Sequence, residues 1–152
     1  MITTPIALLS LALSTQGTDP SPATPPAAIP DAKATAQCWV PLFDGKTLNG
    51  WQPKFKGHAL GEIPLETVRV EDGMMRIDYS NYDEFGGRFG HIFYMVPFEN
   101  YRFSCEYRFT GEQTKGGPGW AYRNSGIMAH CQDPKSMRKD QDFPVCIEVQ
   151  LL

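Results

Sequence analysis

Near its end the sequence places a carboxylate and a carboxamide two residues apart in a strand-like run, Ile147, Glu148, Val149, Gln150, Leu151. A strand's period of two sends Ile147, Val149 and Leu151 toward a core and puts Glu148 and Gln150 together on the opposite face. On a concave face such a pair can accept and donate hydrogen bonds to a sugar, or the carboxylate can abstract a proton. An ordinary solvated strand face carries the same pattern. A second cluster, Tyr122, Arg123, Asn124, Ser125 and Gly126, follows the stretch Gly116, Gly117, Pro118, Gly119, Trp120 and leads into the apolar run from Ile127. Arg123, Asn124 and Ser125 gather charged donors, an amide and a hydroxyl, and Gly126 lets a ligand or a neighbouring backbone approach closely. A turn capped by Asn and Ser side chains explains the same residues without a ligand.

His130 shares parity with Met128 rather than with core-directed Ile127 and Ala129, which makes it a candidate base beside the polar cluster. His58 and His91 have no supporting context in the sequence. Trp51, Trp120 and Tyr122 are candidate stacking platforms for pyranose rings, although burial beneath turns is the commoner fate of such residues. The sequence contains no nucleophile elbow, phosphate loop, zinc-protease helix or dinucleotide fingerprint.

These residues need a scaffold, and the composition favours strands. In 152 residues, Gly 14 and Pro 13 punctuate a chain with 12% aromatic and 41% hydrophobic content, which fits one all-β domain. Lys+Arg 14 against Asp+Glu 17 leaves a net charge of -3, without the positive excess that a nucleic-acid partner requires. Val68 to Glu71 and Met74 to Tyr79 flank Asp72-Gly73, a hairpin signature. From Tyr101 to Phe109 apolar and polar residues alternate without a break, so one face meets a core. His91 to Val96, Ile127 to Ala129 and Val145 to Leu152 complete the expected strands, and no helix is expected.

Residues 1–17 contain an apolar run, Pro5 to Leu13, that is too short to span a bilayer and reads as a secretory signal, although the usual basic residue near Met1 is missing. An exported, periplasmic or extracellular location is therefore expected. Residues 18–37 are rich in Pro, Ala, Thr and Ser and read as a disordered tether, with the folded domain at 38–152. Cys38, Cys105, Cys131 and Cys146 include no CxxC pair. An exported chain permits one or two disulfides in any of three pairings, and Cys105, alternating with Phe103 and Tyr107, also reads as a small buried hydrophobe.

Three stretches in this order, PLFDGKTLNGW at 41–51, YRNSGIMAHCQDP at 122–134 and QDFPVCIEVQLL at 141–152, resemble the concanavalin A-like family of 3-keto-glycoside lyases, hydratases and hydrolases. The resemblance covers about 38–152 and stops before the family's second half. Since the sequence ends inside an apolar strand, a truncated, inactive fragment is expected. The resemblance implies a β-sandwich, or jelly roll, of two curved antiparallel sheets with a sugar site on the concave face. It points to Asn124, Ser125, Glu148 and Gln150, with Arg123 and His130 as neighbours.

The implied chemistry agrees with the residues. Glycosidases ordinarily use two carboxylates, but Gln150 stands where a second would fall. A ketone at C3 acidifies the C2 hydrogen, so one base can remove it and expel the glycosidic group by β-elimination. Glu148 is the first candidate for that base and His130 the second. Arg123, Asn124 or a divalent metal would stabilise the enolate, with Glu148, Gln150 and His130 as mixed ligands that lack a diagnostic spacing. A lectin-like carbohydrate-binding module is the competing reading, and a purely structural domain is a third.

Overall fold

A computed structural model describes residues 12–15 and 39–152. The expected linker at 18–37, Cys38 and most of the expected signal lie outside the described residues. The architecture is an all-β sandwich built from short antiparallel ladders, and among the described residues the only helical pieces are three 3-10 turns. No helix among them is long and apolar enough to cross a membrane.

The first ladder has order β2-β1-β7, joining β1 (Ala12–Thr15), β2 (Trp39–Pro41) and β7 (Tyr101–Ser104). Its middle strand lies inside the stretch read above as an export signal. β3 (Trp51–Phe55) pairs with β6 (Gly90–Tyr94), and β4 (Val68–Glu71) with β5 (Met74–Ile77). β8 (Ser125–Ala129) pairs with β9 (Ile147–Leu151).

The hairpin expected around Asp72-Gly73 is β4–β5. Asp72 at φ 52 and Gly73 at φ 76 supply the two positive φ values of a tight two-residue connection. The alternating run from Tyr101 pairs only as far as Ser104, yet its parity persists: Phe103 and Cys105 pack on the core, and Tyr107 and Phe109 line the cavity described below.

The core is Leu42, Phe43, Trp51 and Met75, with Ile92, Tyr94 and Phe103 among the residues packed on it. The 41–51 stretch serves this core. Asp44 accepts from the backbone N–H groups of Lys46 and Thr47 and from the Thr47 hydroxyl, which closes a turn. Trp51 then enters the core and donates its indole N–H to Leu42 O at 2.8 Å. Trp51 is thus a buried structural residue and not a sugar platform, because its ring and its donor are both used inside.

Alternation on β3 would leave Lys54 outside with Gln52, but Lys54 is buried. The segment around Lys139 crosses over it, and the ammonium donates to Phe55 O at 2.8 Å and Lys139 O at 2.9 Å. Burial pushes its pKa below the usual lysine value, against the opposing charges of Asp140 and Glu62. Lys54→Met keeps the length and removes both charge-assisted bonds. It is expected to destabilise the fold by about 2–3 kcal/mol, seen as a Tm lower by roughly 5–10 °C in thermal unfolding. An unchanged Tm would show that the clamp carries no stability.

One expectation fails. Ile147 and Val149 do not enter a core; they are 63% and 56% exposed. Parity chose their side of the β8–β9 ladder, but burial also needs a covering layer, and none lies over that side among the described residues.

Candidate active site

β8 and β9 are held in register by Gly126 opposite Gln150, Met128 opposite Glu148, and Ile127 opposite Val149. Because directly paired residues share a face, Gly126, Met128, Glu148 and Gln150 share one side, while Ile127 and Val149 share the other. The first side forms one wall of an open cavity of about 1090 Å³, lined largely by aromatic and aliphatic side chains together with Glu148 and Gln150. Pockets for small ligands typically run to about 300–1,000 Å³, so the space is ample for a small ligand.

Glu148 lies across Gly126. A Cβ added at Gly126 would stand 2.0 Å from Glu148 Oε1, 2.5 Å from its Cγ and 2.6 Å from its Cδ. The bare glycine backbone is therefore what lets the carboxylate settle over the ladder toward the Asn124 end. Gln150 donates through Nε2 to Asn124 Oδ1 and, at 2.8 Å, to Ser125 O, while Asn124 Nδ2 donates to Trp120 O at 2.7 Å. Gln150 has committed both amide protons and keeps its carbonyl oxygen as an acceptor; Asn124 keeps one N–H as a donor. The acid of β9 and the amide of the preceding turn thus share one surface.

The other expected residues surround this pair unevenly. Trp120 is 60% exposed, with one face stacked on Phe89 at 5.6 Å and 11°, which suits an aromatic platform. Tyr122 donates to Glu112 at 3.3 Å. Arg123, held at φ 48, lies over the Tyr122 ring at 5.2 Å and reaches Gly111 O at 3.5 Å, so its resting contacts are with that neighbouring loop. Ser125 is opposite Leu151 on the Ile127 side of the ladder, and its carbonyl accepts from Gln150. His130, at φ 52, is exposed just past the end of β8 and lines the cavity.

The sequence reading set His91 aside, but the structure places it in the cavity wall. It is half-buried on β6, and its Nε2 donates to Asp142 O at 2.7 Å. Asp142 is itself held by Lys56 at 2.8 Å. The ring packs against Phe143, with centroids 5.4 Å apart. Burial lowers the His91 pKa below 6.5, opposed by the Asp142 hydrogen bond and by the Glu148 charge. An unfolded chain takes up that proton near pH 6.5 and the folded one only at lower pH, so stability falls on acidification through this window. His91 is 57 residues from Glu148 in sequence, and only folding the 131–146 segment back over β3 and β6 joins them, so no local pattern announces it.

Cys131 and Cys146 meet where β8 and β9 open, beside the backbone bond from Gln132 N to Val145 O at 2.8 Å. Burial and the neighbouring Cys146 push the Cys131 thiol up to about 12. Cys105, Cys131 and Cys146 are all free thiols. Among the described residues no three His, Cys, Asp or Glu side chains gather as a metal-binding group.

The sequence profile of the 3-keto-alpha-glucoside-1,2-lyase-like domain matches residues 38–152, which takes in every element of this site. The chain belongs to that family. A curated relative, a 3-keto-disaccharide hydrolase from Bacteroides thetaiotaomicron, is 30% identical over 106 residues. The match covers 69% of this chain and 31% of the relative, so the chain spans about a third of that protein's length. No solved structure matches the chain. Within this lyase-like domain, the cavity wall of β8 and β9 is where a carboxylate, two amides and exposed aromatic rings converge.

Proposed function

We propose that the protein acts on 3-keto-glycosides, with Glu148 as the base that removes the C2 hydrogen. The observation that carries this reading is the convergence of one carboxylate, seated over Gly126, with the Asn124–Gln150 amide pair in a sugar-sized cavity. The relative's name and the family support the substrate class.

A ketone at C3 delocalises the charge left when C2–H breaks. The electron pair then forms the C1–C2 double bond, and the glycosidic oxygen leaves from C1 and takes a proton from solvent. The remaining Asn124 N–H is placed to hold the developing enolate oxygen, and Gln150 Oε1 to accept from a sugar hydroxyl. Arg123 joins the enolate contact by turning from Gly111, while His130 contacts the sugar from the rim. Trp120 and Tyr122 stack against the rings. Water then adds across the unsaturated ketone, making the net reaction a hydrolysis.

Incubating the full-length native protein with a 3-keto-glucoside and following the released aglycone tests this. Release supports the enzyme. Saturable binding without release favours the lectin-like module, and the absence of both binding and a sugar-dependent rise in Tm overturns the proposal. Export belongs to the same reading, carried by the apolar run at residues 5–13. N-terminal sequencing of protein recovered outside the cytoplasm is expected to start near Thr18, and a mature chain that retains residues 12–15 overturns it.

A further inference from the structure

Building on the 3-keto-glycoside reading above, we propose that His91 is the second base of the site, its Nδ1 taking the proton of the water that adds at C1 while Glu148 serves C2. The two half-reactions make conflicting demands on a single carboxylate. Once elimination is over, Glu148 holds the proton from C2 and is an acid. It can return that proton to C2, but it cannot also deprotonate the incoming water. A second acceptor is needed near C1, on another wall of the cavity.

His91 meets that need by position. It projects from β6, whereas Glu148 lies on β9 and His130 just past the end of β8, and both of these histidines and Glu148 line the same cavity. Asp142 O is a pure acceptor, so the bond at 2.7 Å fixes the ring proton on Nε2 and leaves Nδ1 as the bare lone pair. No hydrogen bond to Nδ1 is present among the described residues. The Phe143 ring at 5.4 Å and the Phe93 ring at 6.4 Å hold the imidazole in place.

The charges acting on His91 are Glu148 from β9, Lys54 from β3 and Asp142 from the connecting segment. Burial outweighs the two carboxylates and keeps the ring neutral at pH 7, the form a base requires. In the hydration, water oxygen bonds to C1 as its proton passes to Nδ1. The C1–C2 pair shifts into the enolate, which collects the Glu148 proton at C2. His91 then releases its proton to solvent, which had supplied the one taken by the departing alkoxide. Substrate and water become keto sugar and alcohol, and both bases are reset.

The test separates the half-reactions in the full-length native protein, using a 3-keto-glucoside with a chromophoric aglycone and following the aglycone and the ultraviolet-absorbing unsaturated ketone independently. His91→Gln keeps an N–H for Asp142 O and removes the basic lone pair. It is expected to slow hydration about 10²-fold, so that aglycone release outruns hydration and the unsaturated ketone accumulates. An unchanged ratio of the two products in folded His91→Gln overturns the assignment, as does equal loss of both steps. His91→Phe separates bracing from catalysis, because a ring that only braces Asp142 would leave His91→Gln like the native protein and lower Tm only in His91→Phe. If neither variant folds, the native protein answers by acidification below pH 6.5, where the product should shift toward the unsaturated ketone; a constant ratio overturns the proposal. No aglycone release by the native protein defeats the 3-keto-glycoside reading itself, a distinct result from normal release with unaltered partition.

Discussion

Replacing Glu148 with Gln is expected to lower aglycone release from a 3-keto-glycoside by about 10²–10⁴-fold, the range that a positioned general base contributes, while sugar binding survives. The substitution keeps the size and shape of a side chain that crosses Gly126, and it leaves the Gln150–Asn124–Trp120 chain of hydrogen bonds untouched. Only the proton-accepting oxygen is lost. Turnover and binding should therefore separate: kcat falls, while a binding isotherm for the keto sugar shifts by no more than a few fold. Turnover within tenfold of the native protein would take Glu148 out of the base role and leave His130 as the next candidate.

Gly126→Ala should produce a similar loss by another route. The new methyl would fall within 2.6 Å of three Glu148 atoms, closer than any side chain tolerates. Glu148 is exposed, so it is expected to swing aside rather than force the strand apart. The predicted signature is a small change in Tm with about 10²-fold lower activity, the scale of a reacting group misplaced by an ångström. Combining Gly126→Ala with Glu148→Gln should cost little beyond Glu148→Gln alone, since both act on one carboxylate. Additive losses would mean that Gly126 serves something else, such as direct contact between its backbone and the sugar.

Much of the local structure was legible in the sequence because its signals are local. Asp72-Gly73 can adopt two successive positive φ values cheaply and makes the β4–β5 turn. The alternation in Ile147 to Leu151 put Glu148 and Gln150 on one face whatever their surroundings, and Asn124, just ahead of β8, meets Gln150 at the same end of the ladder. Burial was less legible. The same alternation pointed Ile147 and Val149 at a core, yet they are exposed, and Lys54, polar by type, is buried. A period tells the two sides of a strand apart but carries no information about which side is covered.

The site itself divides along this line. The sequence by itself determined an all-β chain, its turns, and the parity that sets the acid beside the amides, because these follow from φ preferences and a repeat of two residues. Tertiary structure alone decided that Trp51 belongs to the core while Trp120 stays open, and that His91 faces the same cavity as Glu148. Those outcomes depend on where the 131–146 segment closes over β3 and β6 through Lys54, Lys56 and the Asp142 carbonyl. Contacts between residues so far apart in the chain are chosen by the balance of packing and desolvation over the whole fold, and no short window of sequence contains it.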